Sequence, residues 1–114
     1  MIKIYHNPRC RKSREGLQIL EESGEQFEVI KYLEDIPSEK ELRTVIDCLD
    51  IKPIHLVRKN EKVWKEKYDK GKDMTDGEVV KAMLADPVLI ERPIVVKNNK
   101  AVIGRPPENI NSIL

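Results

Sequence analysis

The sequence predicts an α/β fold with a mixed four-stranded sheet flanked by helices, and three observations predict it. Near the N-terminus two short strand patterns enclose one helical pattern, an order that favours parallel strands joined by a helical crossover. Near the C-terminus two further strand patterns are separated by only a tight turn, which favours an antiparallel hairpin. Between these pairs the middle third carries helical periodicity, so it reads as a helical insertion between sheet segments.

In chain order, Ile2-Lys3-Ile4-Tyr5 alternates as a strand does, and Pro8 helps to end it. Residues 11 to 23 read as a helix in which Leu17, Leu20 and the stem of Arg14 share a face, with Gly24 as its stop. Phe27 to Leu33 is expected to be the second strand, centred on Val29-Ile30. Ser38-Glu39-Lys40-Glu41 has the form of a capping box, followed by the strongest helical stripe in the chain, Leu42, Val45, Ile46 and Leu49. Pro53 marks the exit. Residues 54 to 68 read as a broken helical stretch with Trp64 and Tyr68 paired at i, i+4. Lys70 to Asp73 reads as a polar loop. Thr75-Asp76-Gly77-Glu78 is a second capping box, and Val79, Val80, Met83 and Leu84 form the apolar face behind it. The hairpin is then expected from a strand beginning at Arg92-Pro93 and another over Ala101 to Gly104, turning at Asn98-Asn99. Pro106-Pro107 opens a last short helix carrying Ile110, Ile113 and Leu114. With no repeat, low-complexity tract or linker, residues 1–114 read as one domain with its helical insertion at about 38–90.

Composition narrows the function classes without choosing one. Charged residues make up 36% of the chain, yet the formal net charge is only +1. Bulk charge therefore argues for neither nucleic acid nor membrane as a partner, and any basic patch must be local. Apolar runs never exceed four residues, so no transmembrane span is expected, and the N-terminus lacks the apolar core of a signal peptide. Two cysteines without an export signal imply a cytoplasmic, reducing setting.

The chemistry concentrates at Cys10. Four cations (Arg9, Arg11, Lys12, Arg14) and His6 lie within four residues of it, where a helix is expected to begin. Positive charge and the free N–H groups of a helix start both favour a thiolate, the reactive form. Cys48, beside the apolar stripe of a capped helix, reads instead as a small core hydrophobe. Cys10-Arg11-Lys12-Ser13 has Cys-x-x-Cys spacing with serine in the second place. Serine cannot resolve a mixed disulfide, so an oxidised Cys10 would need an external thiol. Its hydroxyl could donate to the thiolate or to a bound oxyanion, or simply face solvent in the first turn. His6 could tune Cys10 or hold the loop, and His55 reads as incidental. Two histidines and two cysteines without paired short spacing exclude a zinc site. Arg92 and Arg105 each abut a proline at a strand terminus, while Arg58 lies in a plain run. Arginines converging on Cys10 would suit a tetrahedral oxyanion through bidentate hydrogen bonds.

His6-Asn7-Pro8-Arg9-Cys10-x-x-Ser13-Arg14, with Glu91-Arg92-Pro93-Ile94-Val95 and Gly104-Arg105-Pro106 downstream, resembles the glutaredoxin-coupled arsenate reductase (ArsC) family over essentially the whole chain. The resemblance implies a thioredoxin-like fold with Pro93 as a cis-proline facing the thiol. It implies Cys10 as the nucleophile toward arsenate, supported by His6, Ser13 and Arg14, and Arg58, Arg92 and Arg105 as an arginine triad around the oxyanion. It further implies glutathione as co-substrate, glutaredoxin as the partner that releases arsenite, and no bound cofactor or metal.

One departure stands out. Arg11-Lys12 occupy the places where characterised members usually carry Gly-Thr, a pattern closer to the family's uncharacterised members. Glycine leaves backbone amides open to a bulky oxyanion, whereas two long cationic chains would crowd or redirect it. Two alternatives therefore stand beside arsenate reduction: a glutathione-linked thiol oxidoreductase acting on another substrate, and a Spx-like transcription regulator. Ser13 in place of a second cysteine and the three placed arginines weigh against the regulator. Arg92→Ala is expected to weaken anion binding much more than it changes thiol reactivity.

Overall fold

A computed structural model of the chain describes residues 1–69 and 73–114. Most of the polar loop expected over Lys70 to Asp73 thus lies outside the described residues. The chain divides into two compact units, one of residues 1–35 with 92–114 and one of residues 36–91. Among the described residues no helix is long and apolar enough to cross a membrane.

The first unit is built on a four-stranded sheet in the order β2-β1-β3-β4. Strand β1 (Ile2–Tyr5) pairs in parallel with β2 (Phe27–Ile30) and antiparallel with β3 (Ile94–Lys97), and β3 pairs antiparallel with β4 (Lys100–Ile103). Helix α1 (Arg11–Ser23) makes the crossover from β1 to β2 and ends at Gly24, whose φ of 76° is a left-handed conformation that glycine adopts without steric cost. Ile2 and Ile4 of β1, Leu20 of α1, Val95 of β3 and Ile110 form the fully buried core, with Leu17, Phe27 and Val102 packed against it.

Three details differ from the sequence reading. Strand β2 stops at Ile30 and does not reach Leu33, because the Lys31 carbonyl accepts the N–H groups of Glu34 and Asp35 at 3.0 and 2.8 Å and turns the chain. Tyr32 is thereby fully buried, while Leu33 and Val29 are left exposed. The buried stripe of α1 is Ser13, Gly16 and Leu20, with Leu17 half-buried and Arg14 exposed. The first turns of the helix lie so close to their neighbours that only small side chains fit. The last helix is a 3-10 helix over Pro107–Ile113. Its three-residue period puts Ile110 and Ile113 on one face and leaves Leu114 off it.

Gly16 and Gly104 both lie against the ring of Pro93. A Cβ on Gly16 would sit 2.8 Å from Pro93 Cγ and 2.9 Å from Ile110 Cδ1. Alanine's helix preference over glycine, about 1 kcal/mol, offsets only part of such overpacking, which typically costs about 1–3 kcal/mol. Gly16→Ala is therefore expected to lower stability by roughly 1–2 kcal/mol, read as a lower urea midpoint at unchanged slope.

The second unit is helical. Helix α2 (Glu39–Leu49) starts where Ser38 Oγ accepts the Glu41 N–H at 3.1 Å, and ends at Asp50 in a left-handed conformation. Its stripe is buried as expected at Leu42, Val45 and Ile46, with Leu49 half-buried. The stretch read as broken helix resolves into a 3-10 turn at Pro53–Leu56, an extended Val57 bridged to Ile90, and the short α3 (Lys62–Lys67). The rings of Trp64 and Tyr68 lie 5.5 Å apart. Helix α4 (Asp76–Ala85) carries the full Thr75–Glu78 capping box and buries Ala82 as well as Val79, Val80 and Met83.

Candidate active site

The site is assembled where β1 runs into α1. Cys10 is the N-cap residue of α1, in extended conformation (φ −95°, ψ 123°), so its sulfur sits where a helix presents unpaired N–H groups. The loop ahead of it is tied at both ends. The Cys10 N–H donates to the Asn7 carbonyl and the Arg14 N–H to the Cys10 carbonyl, each at 3.0 Å.

His6 and Ser13 are brought together: His6 holds the loop, one of its two sequence readings, whereas the Ser13 hydroxyl neither reaches the sulfur nor faces solvent. Ser13 is fully buried, and its Oγ lies 2.6 Å from His6 Nδ1 while accepting the Asn7 N–H at 3.0 Å. The hydroxyl is thus spent on the loop. The Ser13 amide, three residues beyond Cys10, is the strongest of the influences that lower the thiol, while the Cys10 side chain itself makes no capping hydrogen bond.

Burial alone would push the Cys10 thiol up. The Ser13 amide, hydrogen bonds from the Arg92 and Arg105 side chains, and the Arg92 charge outweigh it, and the thiol falls below its ordinary value. Arg105 Nη1 lies 3.6 Å from Sγ and also donates to the Arg92 carbonyl at 3.2 Å, which fixes its direction. The cations that act on the sulfur are therefore not its sequence neighbours. Arg11 turns along the helix surface to Glu15 at 3.1 Å with its side chain 85% exposed. Lys12 and Arg9 are exposed, and Arg14 Nη1 donates to the Pro8 carbonyl at 3.0 Å, bracing the loop. Because Arg92 contributes to the low thiol value as well as to positive charge, its removal is expected to change both binding and reactivity, unlike the separation expected from sequence.

Pro93 follows a cis peptide bond, as the resemblance implied, and so does Pro106. Arg58 belongs to the second unit, where its Nε bonds to Glu61 at 3.1 Å and its Nη1 to Glu91 at 2.7 Å. Burial would lower the Arg58 guanidinium value, and the two carboxylates raise it instead. Asn7, which the sequence reading passed over, is buried in the loop. Its place between His6 and Pro8 was the one available signal, since Asn-Pro favours a turn.

His6 is held below its ordinary value by burial first and then by the Lys31 charge, against a backbone hydrogen bond at Ser13. A histidine whose folded value is depressed takes up its proton more readily in the unfolded chain. Stability is then full above the unfolded value of about 6.5 and is lost as pH falls through the folded value. Thermal melts between neutral and mildly acidic pH are expected to show this loss, with a shallower slope for His6→Gln. An unchanged slope in the variant would assign the acid sensitivity to other groups.

Comparison with known proteins narrows the chemistry. The ArsC family model matches residues 5–113. The arsenate reductase of Neisseria meningitidis serogroup A is 40% identical over 114 residues, covering 99% of this chain and 97% of that protein. The uncharacterized protein YfgD of Escherichia coli K12 is 43% identical, covering 99% and 96%. The solved arsenate reductase from Vibrio cholerae superposes with a TM-score of 0.94 at 44% identity, covering 99% of this chain and 97% of that one. The thioredoxin-like fold follows from that likeness and from the sheet already described. From the loop that carries Cys10 to the 3-10 helix at the end, the chain belongs to the ArsC family.

Proposed function

We propose that the protein is a thiol oxidoreductase of the arsenate reductase type, with Cys10 as its nucleophile and glutathione and glutaredoxin as its source of electrons. The observation that carries this reading is the meeting of Arg92 and Arg105 with a lowered thiol at a helix start. A thiolate ringed by fixed donors suits a tetrahedral oxyanion, because the cations offset the repulsion between two anions without reorganising. The family resemblance adds Arg58 as a third cation for the oxyanion, with Pro93 beside the thiol and His6 and Arg14 in support.

In the proposed reaction the thiolate bonds to arsenic and one arsenate oxygen leaves as water. Glutathione then bonds to the same arsenic as a second oxygen leaves as water. The glutaredoxin thiolate takes the glutathionyl sulfur as a mixed disulfide and leaves the electron pair on arsenic. Water displaces Cys10 to release arsenite. In sum two thiols give up two electrons and become a disulfide, while arsenate becomes arsenite and water. The external thiols are needed because Ser13 stands where a second cysteine would resolve the adduct. At Arg11 the departure weighs less than the sequence implied. With Arg11 directed to Glu15 and exposed, it does not crowd the sulfur.

The test is arsenite production from arsenate with glutathione and glutaredoxin. Turnover that requires all three components is the expected result. No arsenite from a protein whose Cys10 still reacts as a thiolate would overturn arsenate as the substrate and favour a glutathione-linked reaction on another one.

A further inference from the structure

Asn7 carries no charge and stands between a histidine and a proline, where it would pass for an ordinary turn residue. In the folded chain it is 6% exposed and is bonded into the reactive loop at three points, one through its side chain and two through its main chain. Its Oδ1 accepts the Arg9 N–H at 3.0 Å. Its carbonyl accepts the Cys10 N–H at 3.0 Å, and its own N–H donates to Ser13 Oγ at 3.0 Å. The first two bonds close the turn over Pro8, and the third fastens that turn to the buried first turn of α1. None of them goes to the sulfur.

We propose that Asn7 is a positioning residue for the reaction at Cys10, closing the loop so that the sulfur is held at the start of α1 against Arg105. The inference rests on Cys10 being the reacting thiol of the proposed function. Its physical basis is that hydrogen bonds weaken steeply with distance and angle, whereas the burial penalty opposing them does not depend on aim. A loop that lets Sγ wander forfeits the favourable contacts and keeps the penalty. An amide suits the task better than a carboxylate. Aspartate would offer the same acceptor oxygen but bring a second negative charge to a loop that holds a thiolate.

The experiment follows Cys10 alkylation by iodoacetamide against pH for Asn7→Ala and Asn7→Ser, in a Cys48→Ser background, beside thermal melts. Asn7→Ala is expected to raise the midpoint by about 0.5–1 unit and to slow alkylation at neutral pH roughly three- to tenfold. Serine keeps an acceptor on a shorter side chain and is expected to restore part of both. A folded Asn7→Ala protein with an unmoved midpoint overturns the assignment, even if its melting temperature drops, since that is a structural role alone. If the alanine variant does not fold, Asn7→Ser carries the test: a smaller upward shift supports the assignment, and an unmoved midpoint overturns it. Because the probe is iodoacetamide, a failure here is distinct from a failure of arsenate as substrate.

Discussion

Cys10→Ser is expected to bring arsenite formation down to the rate of the free thiols, a loss of at least about a thousandfold. A serine hydroxyl is almost wholly protonated at neutral pH and forms no comparable bond to arsenic. The fold is expected to survive, because the position is the N-cap of α1 and serine is among the best N-cap residues. Its oxygen can take the Ser13 N–H that now favours the thiolate, so the melting temperature should hold or rise. Arsenite measured beside a thermal melt separates the two effects. Appreciable turnover in a folded Cys10→Ser protein would remove Cys10 from the mechanism.

Arg105→Ala is expected to cost roughly ten- to a hundredfold in kcat/KM, the effect of losing one charge-assisted hydrogen bond worth about 1.5–3 kcal/mol. The residue directs one Nη1 to both the Arg92 carbonyl and the sulfur, so its loss should also raise the Cys10 midpoint. Arg92→Ala should move the midpoint too, through both its hydrogen bond and its charge. Lysine at position 105 keeps the charge without the planar fork and is expected to restore little. If Arg105→Ala lowered kcat/KM with the midpoint unmoved, the guanidinium would serve the oxyanion alone and not the thiol.

The parts of this molecule that were legible in its sequence are those governed by local rules. The Ile2–Tyr5 strand, the stop at Gly24, the Thr75 capping box and the Asn98-Asn99 turn each depend on a few adjacent residues, and each is found as read. The paired order of the strands followed from the crossover and the hairpin. What local rules missed was decided by tertiary placement. Gly16 belongs to the buried stripe of α1 because Pro93, 77 positions later, packs on it. Cys10 is similar: its four neighbouring cations drew attention to it, but they are not the groups that lower its thiol. Arg11 and Arg14 spend their charge on Glu15 and Pro8, and the guanidiniums that reach the sulfur arrive from positions 92 and 105. The place of Ser13 in the first turn of α1 was legible, but not that its hydroxyl would bond His6 and Asn7 while its amide lowers the thiol.

The central property is a Cys10 thiol held below the ordinary cysteine value by its surroundings. Its ultraviolet thiolate absorbance, followed against pH in a Cys48→Ser background, measures this without any assumed substrate. A midpoint clearly below the free-thiol value of about 8.5 is the predicted result. A midpoint at or above that value would contradict the account.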